Sequence, residues 1–343
     1  MKNFDMNYVL NLTEELISIP SVVGFTDLAT KRVEVEFEKF GIEYIHTNKG
    51  ALIAVIDGED NEYAKMISAH IDTIGAIVRR IKSNGRLELT NMGGVIWGSL
   101  ESDNVIVHTL TGEEYEGTLL PNKASAHHYG DEARETIRRA DTMEVRLDEE
   151  VFNSKETENL GIRVGDCVSF DPKFKVSKSG YIKSKYLDDK LCIAQIFGYI
   201  KFLKENKIKP KNKLYIYISN YEEIGHGISV IPEDVKEFIA LDIGIVTADS
   251  LGDEKKVAIT VKDFKTIYDV GIRKNMINIC EKEGISYTSD VYNRYGSDAS
   301  GAVLQMADVR IACIGPNVDA SHHYERTHVE GVLETMKLLA SYL

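Results

Sequence analysis

The sequence predicts an α/β fold on a mixed sheet, interrupted by a small β-barrel-like domain. Three observations carry this. Residues 7–71 run helix, helix, strand, strand: apolar positions come first at helical spacing, then in continuous runs. Residues 74–172 change to short apolar and polar alternations cut by turns. From Lys185 the longer helix and buried-strand patterns return and hold to the end of the 343 residues. The expected organisation is one α/β domain in two pieces, 1–73 and 173–343, with 74–172 inserted between them. A chain of this length has room for two cores.

Residues 7–19 place Leu10, Leu12, Leu16 and Ile17 at roughly helical spacing and stop at Pro20. Residues 26–40 form a second amphipathic pattern, with Leu28, Val33, Val35 and Phe37 among its apolar positions. Buried strands follow at 51–56 and 64–71. In the insert, strands are expected at 77–81, 86–90, 104–109, 115–119 and 143–147, with Asn84-Gly85, Gly94 and Gly112 as turn signals. The phrase GIRVGDCVSFDP, 161–172, reads as its last strand. The polar stretch 123–140, with His127 and His128, reads as a loop and short helix. Beyond the insert, 189–205 is a helix with Leu191, Ile193, Ile196 and Phe197 inward. Strands at 214–219, 238–245, 256–261 and 309–314 and helices at 267–283 and 331–343 complete the chain.

The net charge of −13 argues against a nucleic-acid or anionic-membrane surface, which needs clustered Lys and Arg. With 43% hydrophobic and 28% charged residues, a sizeable folded core is expected. Cys167, Cys192, Cys280 and Cys313 are far apart and lack metal-finger spacing, which suits a reducing cytoplasm. No signal-peptide pattern and no transmembrane run is evident.

The most informative stretch is KLYIYISNYEEIGHG, 213–227. An uncharged β-branched and tyrosine-rich run ends in Glu222 and Glu223, then Gly225 and Gly227. Adjacent side chains on extended backbone point to opposite sides. Two carboxylates at a strand end can therefore divide the work, one holding a metal and one moving a proton. An isolated Glu-Glu pair is usually a solvated acidic turn; here other donors keep it company. SAHIDTIG, 68–75, ends a buried strand with His70 and Asp72, spaced so that Asp72 can accept the hydrogen bond of the imidazole's other nitrogen. A satisfied structural histidine has the same spacing. YLDDK puts Asp188 and Asp189 before a helix, where Asp also serves as an N-cap. Asp242 sits inside or at the end of an apolar strand, where a lone buried carboxylate costs several kcal/mol unless paired or metal-bound. Late in the chain, His322, His323 and His328 place three of nine histidines within seven residues. These donors lie at strand ends, where open α/β sheets bind ligands. Imidazole and carboxylate without thiolate suit zinc, with cobalt or manganese as alternatives.

In this order, His-x-Asp, β insert, Asp-Asp, Glu-Glu-x-Gly, Asp and late His, the chain resembles the M42 family of metallo-aminopeptidases over nearly its whole length. GSDASG, 296–301, resembles the family's Gly-Thr-Asp-Ala-Gly. The resemblance implies two divalent metal ions per chain, bound by His70, Asp188, Glu223, Asp242 and His322, with Asp188 bridging. One arrangement puts His70 with Glu223 and Asp242 with His322; the pairing stays open. His322 follows Gly315 by seven residues, the family's spacing, while His323 and His328 compete for the role. Thr73 stands where many members have Glu, and Tyr221 where many have Gln.

The expected chemistry is hydrolysis of N-terminal residues from short peptides. Two cations lower the pKa of a shared water, Glu222 is the general base, and Asp72 orients His70. A related di-metal carboxypeptidase or N-acyl deacylase is the nearest alternative. A non-catalytic metal-stabilised assembly protein is another. The resemblance also implies a homo-oligomer: a dimer through the insert, and a twelve-subunit shell in many members.

Overall fold

A computed structural model describes residues 3–343. Contacts divide the chain into two compact units, residues up to 72 together with 173–343, and residues 73–172.

The first unit is built on a twelve-stranded mixed sheet. At its centre lie Asn212–Ser219, Asp60–His70, Val235–Leu241 and Arg310–Asp319, neighbours in that order and parallel. Leu52–Ile56 flanks them antiparallel on one side. Glu325–His328 and Tyr181–Ser184 extend the other side antiparallel. The central strands are apolar on both faces because both faces are covered. Helix Leu187–Asn206 is buried along most of its length, and Met6–Ser18 and Val329–Tyr342 pack against it. Helix Met6–Ser18 starts where the Asp5 carboxylate accepts the Tyr8 N–H, and it ends two residues before Pro20.

Two expectations change here. The strand expected at 238–245 is two strands, Val235–Leu241 and Gly244–Val246, both paired with Arg310–Asp319. The break falls at Asp242. Opposite it stands Gly315, where an added Cβ would lie 2.0 Å from the Asp242 carbonyl oxygen. The backbones approach there as closely as glycine allows. Strand Tyr287–Val291 and helix Asp298–Leu304, the latter opened by a Ser297/Ser300 capping box, were not expected from periodicity.

The second unit is a closed six-stranded barrel, in the order Gly75–Ile81, Leu87–Met92, Met143–Leu147, Glu114–Pro121, Asn104–His108 and Cys167–Phe170. Val78, Leu89, Val105, Val107, Leu119, Val145 and Val168 are in its core. Closure leaves no free sheet edge. Of 161–172, only Cys167–Phe170 is strand, because positive φ at Gly161 (91°) and Gly165 (97°) makes the start a turn. The polar stretch 123–140 contains two short helices, Ala126–Tyr129 and Asp131–Glu135.

Candidate active site

The central strands are parallel, so their carboxyl ends lie along one edge of the sheet. His70 is the last residue of its strand. Glu222 and Glu223 form a short 3-10 turn after Asn212–Ser219, closed by Gly225 at φ 85°. Asp242 follows Val235–Leu241, and His322 follows Arg310–Asp319. Asp188 and Asp189 open helix Leu187–Asn206 with non-helical backbone, and the peptide between them is cis. Four non-glycine residues in the left-handed region mark the same edge: Tyr186 (φ 69°), Tyr221 (73°), Ala320 (59°) and His322 itself (64°). Such conformations persist only where the surroundings enforce them, and they concentrate at functional sites.

Asp188 stands between two imidazoles. Its Oδ1 is 3.0 Å from His70 Nε2, and its Oδ2 is 3.7 Å from His322 Nε2. His322 Nε2 is also 3.6 Å from Glu223 Oε2. Donor atoms of His70, Asp188 and Glu223 converge within 4.8 Å, and so do those of His70, Asp189 and Asp242. Glu222 Oε2 lies 3.8 Å from His70 Nε2. All of the sequence-expected donors thus gather in one cluster. Of the competing histidines, His323 is exposed. His328 caps the last helix: its Nδ1 accepts the Glu330 N–H at 3.1 Å and its Nε2 meets the Ser179 carbonyl at 2.8 Å.

Asp72 does something other than expected. The strand stops at His70, so the alternation that would have aimed Asp72 at the imidazole does not reach it. His70 Nδ1 meets the Asp72 backbone carbonyl at 2.8 Å, while the nearest carboxylate oxygen is 3.9 Å away. The carboxylate instead accepts the N–H groups of Glu222 and Glu223, one on each oxygen, both at 3.1 Å.

Three further acids belong to the cluster. Asp189 accepts the His70 N–H on Oδ2, and its buried Oδ1 has no hydrogen-bond partner. Asp298 accepts from Ser219 Oγ on Oδ2, and its Oδ1 is likewise buried and unpartnered. Glu325 is 2% exposed and accepts two backbone N–H groups, from Asp188 at 3.1 Å and from His322 at 3.0 Å. Asp189 and Asp298 stand in the motifs LDDK and GSDASG. Glu325 had no sequence signal, because its value lies in backbone donors that meet only in the fold.

Burial pushes Glu223 up to about 7 and Asp242 and Glu325 each up to about 8. Burial also raises Glu222 and Asp189 well above the carboxylate range. Asp188 is the exception. Burial opposes its charge, but hydrogen bonds from His322 and His70 hold it below the ordinary value. Burial alone would lower His70, yet Asp188, Asp189 and Glu222 around it raise it. Acids therefore outnumber the bases available to neutralise them. Buried anionic oxygens without partners are costly, and a divalent cation satisfies them. The unpartnered Asp189 Oδ1 and the all-imidazole and carboxylate donor set fit divalent metal ions.

A mixed α/β sheet with imidazole and carboxylate donors at its parallel-strand ends is an arrangement suited to metal-assisted hydrolysis. The family model described as M42 glutamyl aminopeptidase matches residues 50–338, and the chain belongs to that family of peptide hydrolases. It is 40% identical over 335 residues to the Bacillus subtilis protein "Putative aminopeptidase YhfE", covering 97% of this chain and 96% of that one. It is 26% identical over 250 residues to the lysyl aminopeptidase of Pyrococcus furiosus, covering 72% and 69%. Among solved structures, aminopeptidase APDkam598 of Desulfurococcus kamchatkensis shares the fold with TM-score 0.87 at 21% identity, over 98% of this chain and 94% of that one. The TET1 peptidase of Pyrococcus horikoshii, which assembles into a tetrahedron or a large octahedral shell, shares it with TM-score 0.81 at 21% identity, over 97% and 99%. Among the described residues, no helix is long and apolar enough to cross a membrane.

Proposed function

We propose that this chain is a co-catalytic two-metal aminopeptidase that removes N-terminal residues from short peptides. The observation that carries the reading is the position of Asp188, one oxygen facing His70 and the other His322. A carboxylate so placed is suited to bridge two cations. His70, Asp242 and Asp188 Oδ1 would hold one, with Asp189 beside it. Glu223, His322 and Asp188 Oδ2 would hold the other. The contact between His322 and Glu223 favours this pairing over that of His70 with Glu223. Zinc suits the donors, with cobalt or manganese as alternatives.

When bound, the cations supply Lewis acidity toward water and the scissile carbonyl. The rest is the work of the chain. Glu222 is next to the site without being assigned as a ligand. Its carboxylate takes the proton of the attacking water and returns it to the leaving amine. Asp72 fixes the Glu222–Glu223 turn through both N–H groups, so base and ligand keep one spacing. The surplus of buried acids provides a partner for the substrate's free α-ammonium group, which restricts cleavage to the first peptide bond. We further propose that the chain works in the cytoplasm, where its four buried, unpaired cysteines stay reduced. In this reading it forms a homo-oligomer whose dimer contact uses the barrel, with a twelve-subunit shell as the larger form.

The test is an assay of EDTA-stripped and metal-restored protein on peptide amides with free or acetylated amino ends. Activity should vanish on stripping, return with metal and require the free amine. Equal cleavage of both substrates would rule out an aminopeptidase.

A further inference from the structure

We infer that Glu325 is the positioning residue of the metal ion on the His322 side, and that losing it weakens that ion selectively. The inference rests on the two-metal reading above and adds to it a residue with no role in that mechanism. Glu325 is buried, at 2% exposure, in the short strand Glu325–His328. It lies in the strand that returns after the His322 loop and pairs with Tyr181–Ser184, Glu325 opposite Ser184. That pairing brings two chain segments far apart in sequence to the same carboxylate. Oε2 accepts the Asp188 N–H at 3.1 Å, and Oε1 accepts the His322 N–H at 3.0 Å. No other side chain described at the site ties together the backbones of two proposed ligands from separate segments.

What it ties down is backbone that does not hold its own conformation. His322 has φ 64° and follows Ala320 at 59°, while Asp188 lies two residues after Tyr186 at 69°. Non-glycine residues persist in this region only where the surrounding structure holds them there. His322 and Asp188 Oδ2 are the donors assigned to one cation, together with Glu223. His70 and Asp242 are held by other means: His70 by the Asp72 carbonyl and the Asp189 carboxylate, and Asp242 by its N–H to the Ile314 carbonyl at 2.9 Å. Asp188 Oδ1 is also assigned to the other cation, but there His70 and Asp242 stay held. Loss of the Glu325 clamp frees two of the three assigned donors on the His322 side and one of three on the other, so it falls more heavily on the His322-side cation.

The experiment titrates metal-stripped protein with cobalt(II) and follows the visible d–d absorption through the first and second equivalents. It compares wild type with Glu325→Gln and Glu325→Asp. Gln keeps the size but offers only one acceptor oxygen. Asp keeps the charge but is one methylene too short to reach both N–H groups. Both variants should bind the first equivalent nearly as wild type and the second about 10–100-fold more weakly, the usual cost of losing a residue that orients a ligand. Excess cobalt should restore the second-site spectrum and activity together. Circular dichroism of the metal-free variants checks that each is folded. Equal weakening of both equivalents, an unaltered second step, or full recovery in Glu325→Asp, which would make charge alone responsible, would each overturn the inference. A wild type that takes up fewer than two equivalents sinks the two-metal reading and this inference with it.

Discussion

The buried glutamates of the barrel and the acids crowded at the parallel-strand ends of the large sheet are neutralised in different ways. In the barrel each buried glutamate has cations beside it. Glu144, 2% exposed, is bonded by Arg86 at 2.5 Å and by Lys82. Glu88 sits between Arg79 and Arg80. In the α/β unit, Asp189, Glu222, Glu223, Asp242 and Asp298 crowd around two imidazoles, and two of their oxygens have no partner. Paired buried charge is explained by the fold alone. Unpaired buried charge is a cost the fold does not recover, and points to something the fold is built to receive.

The sharpest way to break this contrast is Glu222→Gln. It should lower kcat by about 10²–10⁴-fold, the typical weight of a general base, while metal content and melting temperature stay at wild-type values. Wild-type turnover would return Glu222 to the class of structural acids.

The second effect is on stability against pH. Asp242 and Glu223 have folded pKa values of about 8 and 7, above their unfolded values of about 4. A raised folded pKa means the native state binds more protons, so its contribution is whole below about pH 4 and is lost as pH rises through 7 to 8. Metal-free protein should therefore melt at steadily lower temperature from pH 5 to pH 8. Saturating zinc should flatten that slope, since it replaces the protons. A metal-free melting temperature that rises over this range would contradict the assignment.

Metal counts sharpen the contrast among histidines. His322→Ala should lose one of two equivalents, and His323→Ala and His328→Ala should lose none. Full occupancy in His322→Ala would move the last ligand elsewhere.

Asp72→Asn should reduce activity by about 10–100-fold, since an amide can accept only one of the two N–H groups the carboxylate now takes. The smallest effect is expected in the barrel. Glu144→Gln should cost about 1.5 kcal/mol of stability in denaturant melts and leave turnover unchanged, because Lys82 and Arg86 retain access to water.

Much of this was legible beforehand. His70, Glu222, Glu223 and Asp242 announce themselves as polar residues ending long apolar runs, and the barrel announces itself by alternation. What escaped has common physical causes. Asp72 was misread because alternation applies only while the strand lasts, and it lasts to His70. The strand 238–245 reads as unbroken because its break at Asp242 depends on Gly315, a residue of a different strand. Glu325 was invisible because it binds backbone N–H groups, which every sequence contains and only a fold brings together.

The order of the sheet carries one more consequence. The proposed ligands run from His70 to His322, and the last of them follows Arg310–Asp319, a strand seated between Val235–Leu241 and Glu325–His328. A nascent chain that has emerged only as far as residue 300 can already hold His70, Asp188, Glu223 and Asp242. It still lacks the strand that completes the sheet and brings His322 into place. The last proposed ligand is therefore made near the end of synthesis. Until then, an incomplete chain has most of the proposed ligands and lacks the last of them.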